Sequence, residues 1–182
     1  MGKQSQLGFT LIELVVVIVI LGVLTITAAP KFLDFKKDAR VASLQGVIAA
    51  LKSANSLIYA KAAIQGQESI GRANPRRRHL GSVAIDKSGT VVATNFGYLS
   101  NEGNNDNRAL QNLAKILEVE SIIRLRNNRT VADSGFGLDS VNRRQFYLYP
   151  AGFNRTQLCR IEYTSAQAVG EQPRYVLVTD DC

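Results

Sequence analysis

The sequence predicts an α+β fold in which one long N-terminal helix packs on an antiparallel β-sheet. Three observations lead to this prediction. An apolar run opens the chain, an amphipathic pattern with helical spacing follows it, and short segments rich in β-branched and aromatic residues fill the second half. The 182 residues leave room for one membrane-spanning helix and one domain of ordinary size.

The apolar run covers residues 9–29, and its polar members are Thr10, Glu13, Thr25 and Thr27. A helix of this length rises about 31 Å, which matches the hydrocarbon core of a bilayer. A carboxylate is costly in such surroundings, so Glu13 is a candidate functional residue that needs a partner of opposite charge.

Three other interpretations of this run stay open. A secretory signal peptide would use Lys3 as its basic start and a cut after Ala29, but Pro30 hinders that cut and the run is longer than a usual signal core. A plain membrane anchor gives no reason for Glu13. A buried core helix that is apolar on every side is rare in a domain of this size.

The helical pattern continues through residues 31–65 and becomes amphipathic. Gly22 weakens the helix, and Pro30 predicts a kink because proline removes one backbone hydrogen bond. From residue 41 onward, apolar residues at spacings of three, four and seven indicate one buried face. These residues are Val41, Leu44, Ile48, Leu51 and Ile58.

A loop is predicted over residues 66–81 and a sheet over residues 82–179. The Asp86…Gly89 turn indicates a hairpin. A short helix is predicted at residues 108–119, and its competitor is an irregular segment with a strand at residues 122–125. The other strands are predicted at residues 82–85, 90–94, 145–149, 158–163 and 175–179.

The segment Gly8-Phe9-Thr10-Leu11-Ile12-Glu13-Leu14 resembles the prepilin signature of type IV pilins and pseudopilins. The resemblance implies the ladle-shaped pilin fold. It implies that residues 1–8 are a leader, that a membrane-embedded prepilin peptidase and methyltransferase cuts after Gly8, and that the new amine on Phe9 is methylated. Residues 9–30 would then span the membrane and drive assembly, and residues 31–182 would form the head.

The same resemblance gives Glu13 a partner. In that family the matching carboxylate meets the N-terminal amine of a neighbouring subunit as the filament grows. Phe9 and Glu13 lie four residues apart, on the same face of a helix. An opposite charge within a few Å offsets much of the cost of each charge in apolar surroundings.

The segments Ala28-Ala29-Pro30-Lys31-Phe32 and Asp38-Ala39-Arg40 are similar to the mannose-sensitive haemagglutinin (MSHA) branch of type IVa pilins. Asn95-Phe96-Gly97-Tyr98 is similar to that branch too, although Leu99 follows it where the branch would have a proline. This implies a Gram-negative surface filament for attachment and biofilm formation. The subunit would wait in the inner membrane, and its partners would be copies of itself, the assembly machinery and minor pilins. Three alternatives stay open: a minor pilin, a type II secretion pseudopilin and a non-polymerising membrane-anchored periplasmic binding module.

Cys159 and Cys182 are the two cysteines of the chain. In an exported domain two thiols predict one disulfide, which here would close a C-terminal loop over residues 159–182. In type IV pilins such a loop typically faces outward on the filament.

The net charge of +7 lies entirely outside the first 30 residues. Arg76, Arg77 and Arg78 form a cluster that would contact a polyanion such as DNA or a surface polysaccharide; the competing interpretation is solubilising charge. His79 is the single histidine, so no zinc cluster can be drawn from the sequence. The sequence therefore predicts a protein that is not an enzyme and has no cofactor.

Overall fold

The computed structural model describes residues 8–71, 80–86, 90–101, 113, 116–117, 122–125, 130–131, 135–142 and 144–182, without the side chains of residues 29–34 and 124. The chain divides into two compact units, Met1–Ala39 and Arg40–Cys182. One helix, α1 (Leu11–Ile64), contributes to both units, and all the strands belong to the second.

Helix α1 begins and ends with recognisable capping signals. Thr10 precedes its first residue, and Gly66 follows its last turn with a φ of 64°. The amide of Gln67 donates to the carbonyl of Ala62 (2.8 Å), as in a Schellman motif. Gly22 and Pro30 both lie inside α1, so neither ends the helix, and a kink at Pro30 stays a prediction.

Within the residues that the structure describes, eight strands form two sheets. β1 (Gly81–Ala84), β2 (Val91–Asn95) and β3 (Tyr98–Leu99) pair in that order, with antiparallel neighbours. The second sheet has the order β4 to β8. Its strands are β4 (Ile122–Arg124), β5 (Phe136–Ser140), β6 (Gln145–Pro150), β7 (Arg160–Thr164) and β8 (Arg174–Val178). Three of its four pairings are antiparallel, and β4 pairs with β5 in parallel.

The core of the second unit lies between α1 and the sheets. Leu44, Leu51 and Ile58 are buried as their spacing predicted, whereas Val41 and Ile48 are only half-buried. The sheet supplies the facing apolar surface, whose fully buried members include Leu148, Ile161 and Tyr163. The α+β fold, with a long helix packed on a mainly antiparallel sheet, is therefore confirmed.

Several details of the predicted sheet were wrong. The strands form two sheets rather than one, and β3 and β5 were not predicted. The β5 sequence Phe-Gly-Leu-Asp-Ser contains Gly137 and Asp139, which are poor strand formers. Gly137 is needed there because a Cβ atom would lie 2.5 Å from the Val131 side chain and 2.7 Å from that of Leu125. Packing across the sheet therefore overrides local propensity.

The other strand boundaries shift by one or two residues. β7 begins at Arg160 rather than at residue 158, because the Leu158 amide donates to the Asp181 carboxylate (2.6 Å) instead of a sheet partner. The competing strand at residues 122–125 is present as β4. Leu113, Ile116 and Leu117 are helical, and the rest of the predicted helix at 108–119 lies outside the described residues.

A buried polar network joins α1 to both sheets. Asn55 donates through Nδ2 to the Tyr175 hydroxyl (2.7 Å), and its Oδ1 accepts from the Leu99 amide (2.8 Å). The Tyr163 hydroxyl donates to the Leu99 carbonyl (2.6 Å). Both backbone groups of Leu99 are thus satisfied by side chains, which offsets the cost of burying them.

A disulfide joins Cys159, directly before β7, to Cys182, which lies 23 positions later in the sequence. Arg40 of α1 adds a second link, because its guanidinium donates to the backbone oxygen of Cys182 (2.8 Å) and lies 5.2 Å from the centre of the Phe153 ring. Cys182 is therefore tied to the sheet by the disulfide and to α1 by a hydrogen bond from the charged Arg40 guanidinium.

Candidate processing and assembly site

The first part of α1 has an apolar surface on every side that nothing in its unit covers. Fourteen large apolar side chains between residues 9 and 26 are exposed, from 42% at Val15 to 87% at Phe9. In the second part of the same helix, Leu44 and Leu51 are fully buried. An uncovered apolar surface of this size marks a membrane or protein contact.

The window Leu11–Ala28 is long and apolar enough to cross a membrane, and none of it is buried. A second window, Phe35–Ile64, passes the same test of length and composition but is partly buried. Its buried residues form the stripe that packs in the domain core, so amphipathic packing explains it without a membrane.

Glu13 has hydrogen-bond partners within its own chain. Its Oε2 accepts from the backbone amide of Thr10 (2.9 Å) and from the Thr10 hydroxyl (2.7 Å). The Glu13 amide in turn donates to Thr10 Oγ1 (3.3 Å). This reciprocal arrangement is a capping box, with Thr10 at the N-cap and Glu13 three residues later. It satisfies two amides that the first turn of a helix leaves without partners.

Thr10 is a site residue that the sequence reasoning missed. The signal was present, since threonine followed by glutamate three residues later, ahead of an apolar run, is the sequence pattern of a capping box. Glu13 therefore starts the helix in addition to carrying the charge for which it was singled out. Both bonds from Thr10 use Oε2, so the carboxylate is held in one orientation.

Gly8 and Phe9 lie before the first turn and are exposed. A Cβ atom added at Gly8 would have nothing within 4 Å, and its φ lies outside the left-handed region. The fold of this chain therefore has no need of glycine at position 8. A requirement for glycine there would have to come from something that binds this segment.

Gly22 also has open space around an added Cβ atom, so the fold of this chain does not require glycine at position 22 either. Cys159 and Cys182 are paired with each other. Arg76, Arg77 and Arg78 lie outside the described residues, as do residues 1–7 of the predicted leader. The structure therefore brings Thr10 and Glu13 together beside the Gly8–Phe9 junction, and it describes no geometry for the arginine cluster.

Comparison with known proteins matches this same segment. Residues 3–29 match the family model described as the prokaryotic N-terminal methylation motif. Relatives include the type IV narrow pilus major component PilA5 of Thermus thermophilus, 45% identical over 60 residues, which are 33% of this chain and 48% of the relative. A fimbrial protein of Pseudomonas aeruginosa is 34% identical over 73 residues, covering 40% of this chain and 45% of the relative.

The matches to these two relatives span about half of their length. The type IV major alpha-pilin of Moraxella bovis is matched more fully, with 32% identity over 122 residues, which are 57% of this chain and 74% of the relative. No solved structure matches the chain at comparable significance. The long match to the Moraxella protein and the methylation motif show that this chain belongs to the type IV pilin family.

Proposed function

We propose that this protein is the structural subunit of an MSHA-like type IV pilus, which polymerises through residues 9–28 into a surface filament. The observation that carries the proposal is the apolar surface around this part of α1, which has a single carboxylate, Glu13, near one end. A lipid bilayer covers such a surface before assembly. Packing against the same segment of other subunits covers it afterwards.

Processing at the Gly8–Phe9 bond explains the glycine that the fold does not require. A membrane-embedded prepilin peptidase and methyltransferase recognises the exposed segment, cuts after Gly8 and methylates the amine of Phe9. The resulting chain begins with a cation two residues before the first residue of α1. Residues 1–8, which include Lys3, remain on the cytoplasmic side as a leader, in keeping with the positive-inside rule.

The capping box prepares Glu13 for assembly. Thr10 bonds to Oε2, so Oε1 is the oxygen that the amine of a neighbouring subunit's Phe9 approaches. An ion pair in apolar surroundings is favourable only when its geometry is good and its remaining bonds are made. Thr10 makes those bonds in advance, and the pair then rewards correct axial register between subunits.

This assignment also predicts where the subunit resides before and after assembly. The subunit is held in the inner membrane of a Gram-negative cell, the pilus assembly machinery extracts it, and minor pilins join the same filament. The exposed filament serves attachment to surfaces and biofilm formation. The head carries the disulfide, which suits a domain exported to an oxidising compartment.

Mass analysis of the mature chain from sheared surface fibres tests the processing and assembly parts together. We expect the fibres to consist mainly of this chain, beginning at N-methylated Phe9. A chain that starts at Met1, or after a cut following Ala29, would overturn the assignment. Recovery of the mature chain only as an inner-membrane monomer would overturn polymerisation.

Attachment needs a separate experiment. A strain without this chain is compared with the same strain carrying the wild-type chain or Glu13→Ala. We expect the deletion and Glu13→Ala strains to lose surface attachment and biofilm together. Normal attachment by a strain that displays no fibres would remove the adhesive role while leaving the structural one intact.

A further inference from the structure

The second unit contains a groove of about 590 Å³ between α1, β3 and the segment that leads into β8. Three tyrosines, Tyr59, Tyr98 and Tyr175, line it together with Lys52, Asn55 and Gln172. The tyrosines are half-buried, and Lys52 and Gln172 are exposed. Concave sites that combine aromatic rings with a few placed polar groups are typical of small-ligand binding.

The groove is held in place by a strained turn. Phe96 and Gly97 connect β2 to β3 with φ values of 52° and 81°, and a left-handed conformation is costly for an aromatic residue. Phe96 is buried, and its amide donates to the Ile70 carbonyl (2.9 Å), which fixes the turn. A Cβ atom on Gly97 would lie 2.7 Å from the Tyr59 ring, so the backbone approaches that ring closely.

This turn places the Tyr98 ring against the Tyr59 ring. The two rings stack with their centres 4.7 Å apart and their planes at 20°. A planar ligand cannot enter between rings this close, so only their outer faces and edges are available. The third ring, Tyr175, is oriented by the bond from Asn55 to its hydroxyl (2.7 Å).

Among the described residues that line the groove, Lys52 is the one that carries a charge. The Lys52 ammonium lies 5.7 Å from the centre of the Tyr175 ring. Tyrosine hydroxyls are neutral near neutral pH and can donate hydrogen bonds there. Burial raises the pKa of Tyr98 and raises that of Tyr175 to about 12, which favours the neutral form further. The described lining of the groove therefore offers aromatic faces, hydroxyl and amide hydrogen-bonding groups and the Lys52 cation.

We propose that this groove binds a saccharide that carries a carboxylate, such as a hexuronate or a sialic acid. A pyranose ring presents a face of C–H bonds to the electron-rich face of an aromatic ring. Its hydroxyls match Gln172 and the tyrosine hydroxyls, and its carboxylate pairs with Lys52. A cationic ligand is disfavoured because Lys52 occupies the edge of the groove, although aromatic rings alone would attract it.

Tyrosine fluorescence provides the test, because the chain has six tyrosines and no tryptophan. The full-length chain in detergent micelles is titrated with methyl β-D-glucuronide, N-acetylneuraminic acid and neutral methyl β-D-glucoside. We expect a saturable change with one acidic sugar, weaker binding of the neutral one by about tenfold, and a similar loss for Lys52→Gln. The acidic sugar that binds distinguishes uronate polysaccharides from sialylated surfaces.

Lys37→Gln is the matched control, since it removes the same charge from an exposed position of α1 that does not line the groove. Tyr98→Leu removes one ring, and its melting temperature shows whether the domain still folds. The proposal is overturned if neither acidic sugar gives a saturable change. It is also overturned if the neutral sugar binds equally well, or if Lys37→Gln weakens binding as much as Lys52→Gln.

Discussion

The two parts of helix α1 share one helical backbone, but the first part is the more apolar of the two, and they use their apolar side chains in opposite ways. In the first part Leu24 is 55% exposed, and its neighbours are exposed on every side. In the second part Leu51 is fully buried and faces the sheets. The second part therefore stabilises the core of its unit, whereas the apolar side chains of the first part are left exposed.

The side chains of one helix can therefore be subject to two independent sets of constraints. In the second part, shape and volume matter, because a packed core responds to the loss of a few methylene groups. In the first part, hydrophobicity and the position of a single charge matter. Substitutions that affect one set of constraints should leave the other unchanged.

The largest effect is expected from Glu13→Ala. Without the carboxylate, the amine of Phe9 on a neighbouring subunit loses its partner in apolar surroundings, so we expect normal cleavage and folding but few or no filaments. Fibre yield is measured by electron microscopy and mass analysis of sheared material. Asp38→Ala, which removes another exposed acid from the same helix, should form filaments normally. Normal filaments from Glu13→Ala would contradict the pairing.

A pair of identical substitutions compares the two parts directly. Leu51→Ala should lower the free energy of unfolding of the head by about 2–5 kcal/mol, because it leaves a cavity in the core. Leu24→Ala should leave that free energy unchanged, because the side chain is exposed and is not among the described residues of the core. Both are measured by denaturant unfolding of the full-length chain in micelles. An equal loss of stability from the two variants would refute the separation.

Both cysteines of the disulfide lie in the second unit, whereas the exposed part of α1 lies in the first. Replacing Cys159 and Cys182 together with serine should destabilise the head by about 3 kcal/mol, because the loop they close regains its freedom in the unfolded chain. The Arg40 contact to Cys182 should limit the fraying of residues 159–182 in the folded state. Thermal unfolding with and without reductant provides the measurement. Cleavage after Gly8 should proceed as in the wild type, and a failure there would link the head to processing.

The sequence predicted the part of the fold that depends on periodicity and missed the part that depends on packing. The helix, most of its buried stripe and five of the strands follow from local patterns, and β4 appeared only in the competing interpretation of residues 108–125. β5 was missed because Gly137 serves a close contact rather than a strand preference. β3 was missed because only two residues form it, and the turn before it places Phe96 at a positive φ.

For the site, the sequence identified the charge at Glu13 but not the bonds that orient it. Thr10 was counted as one of the polar residues in an apolar run, although the spacing from threonine to glutamate carries the capping signal. The aromatic groove was beyond sequence reasoning, because Tyr59, Tyr98 and Tyr175 come from three distant segments that only the tertiary fold brings together.

A pH titration should affect the head alone. Burial raises the pKa of Tyr163 well above its usual range and that of Tyr175 to about 12, whereas both ionise near 10 in the unfolded chain. The unfolded state then loses protons first, so the stabilisation that these two tyrosines contribute is complete below about pH 10 and falls as the pH rises from about 10 through 12. Tyr175→Phe should start less stable but lose less over this window. A flat stability curve up to pH 12 would contradict the assignment.

The smallest expected effect concerns the capping box. Thr10→Val keeps the shape of the side chain but removes the hydroxyl that bonds Glu13 Oε2, so the carboxylate should lose its fixed orientation while keeping its charge. We expect faster amide hydrogen exchange in the first turn of α1 and a partial loss of fibre yield, well short of that from Glu13→Ala. Thr10→Ser retains the hydroxyl and should resemble the wild type. If Thr10→Val abolished filaments as fully as Glu13→Ala, Thr10 would have to contact a neighbouring subunit itself, and the uncovered part of the helix would carry two assembly determinants in place of one.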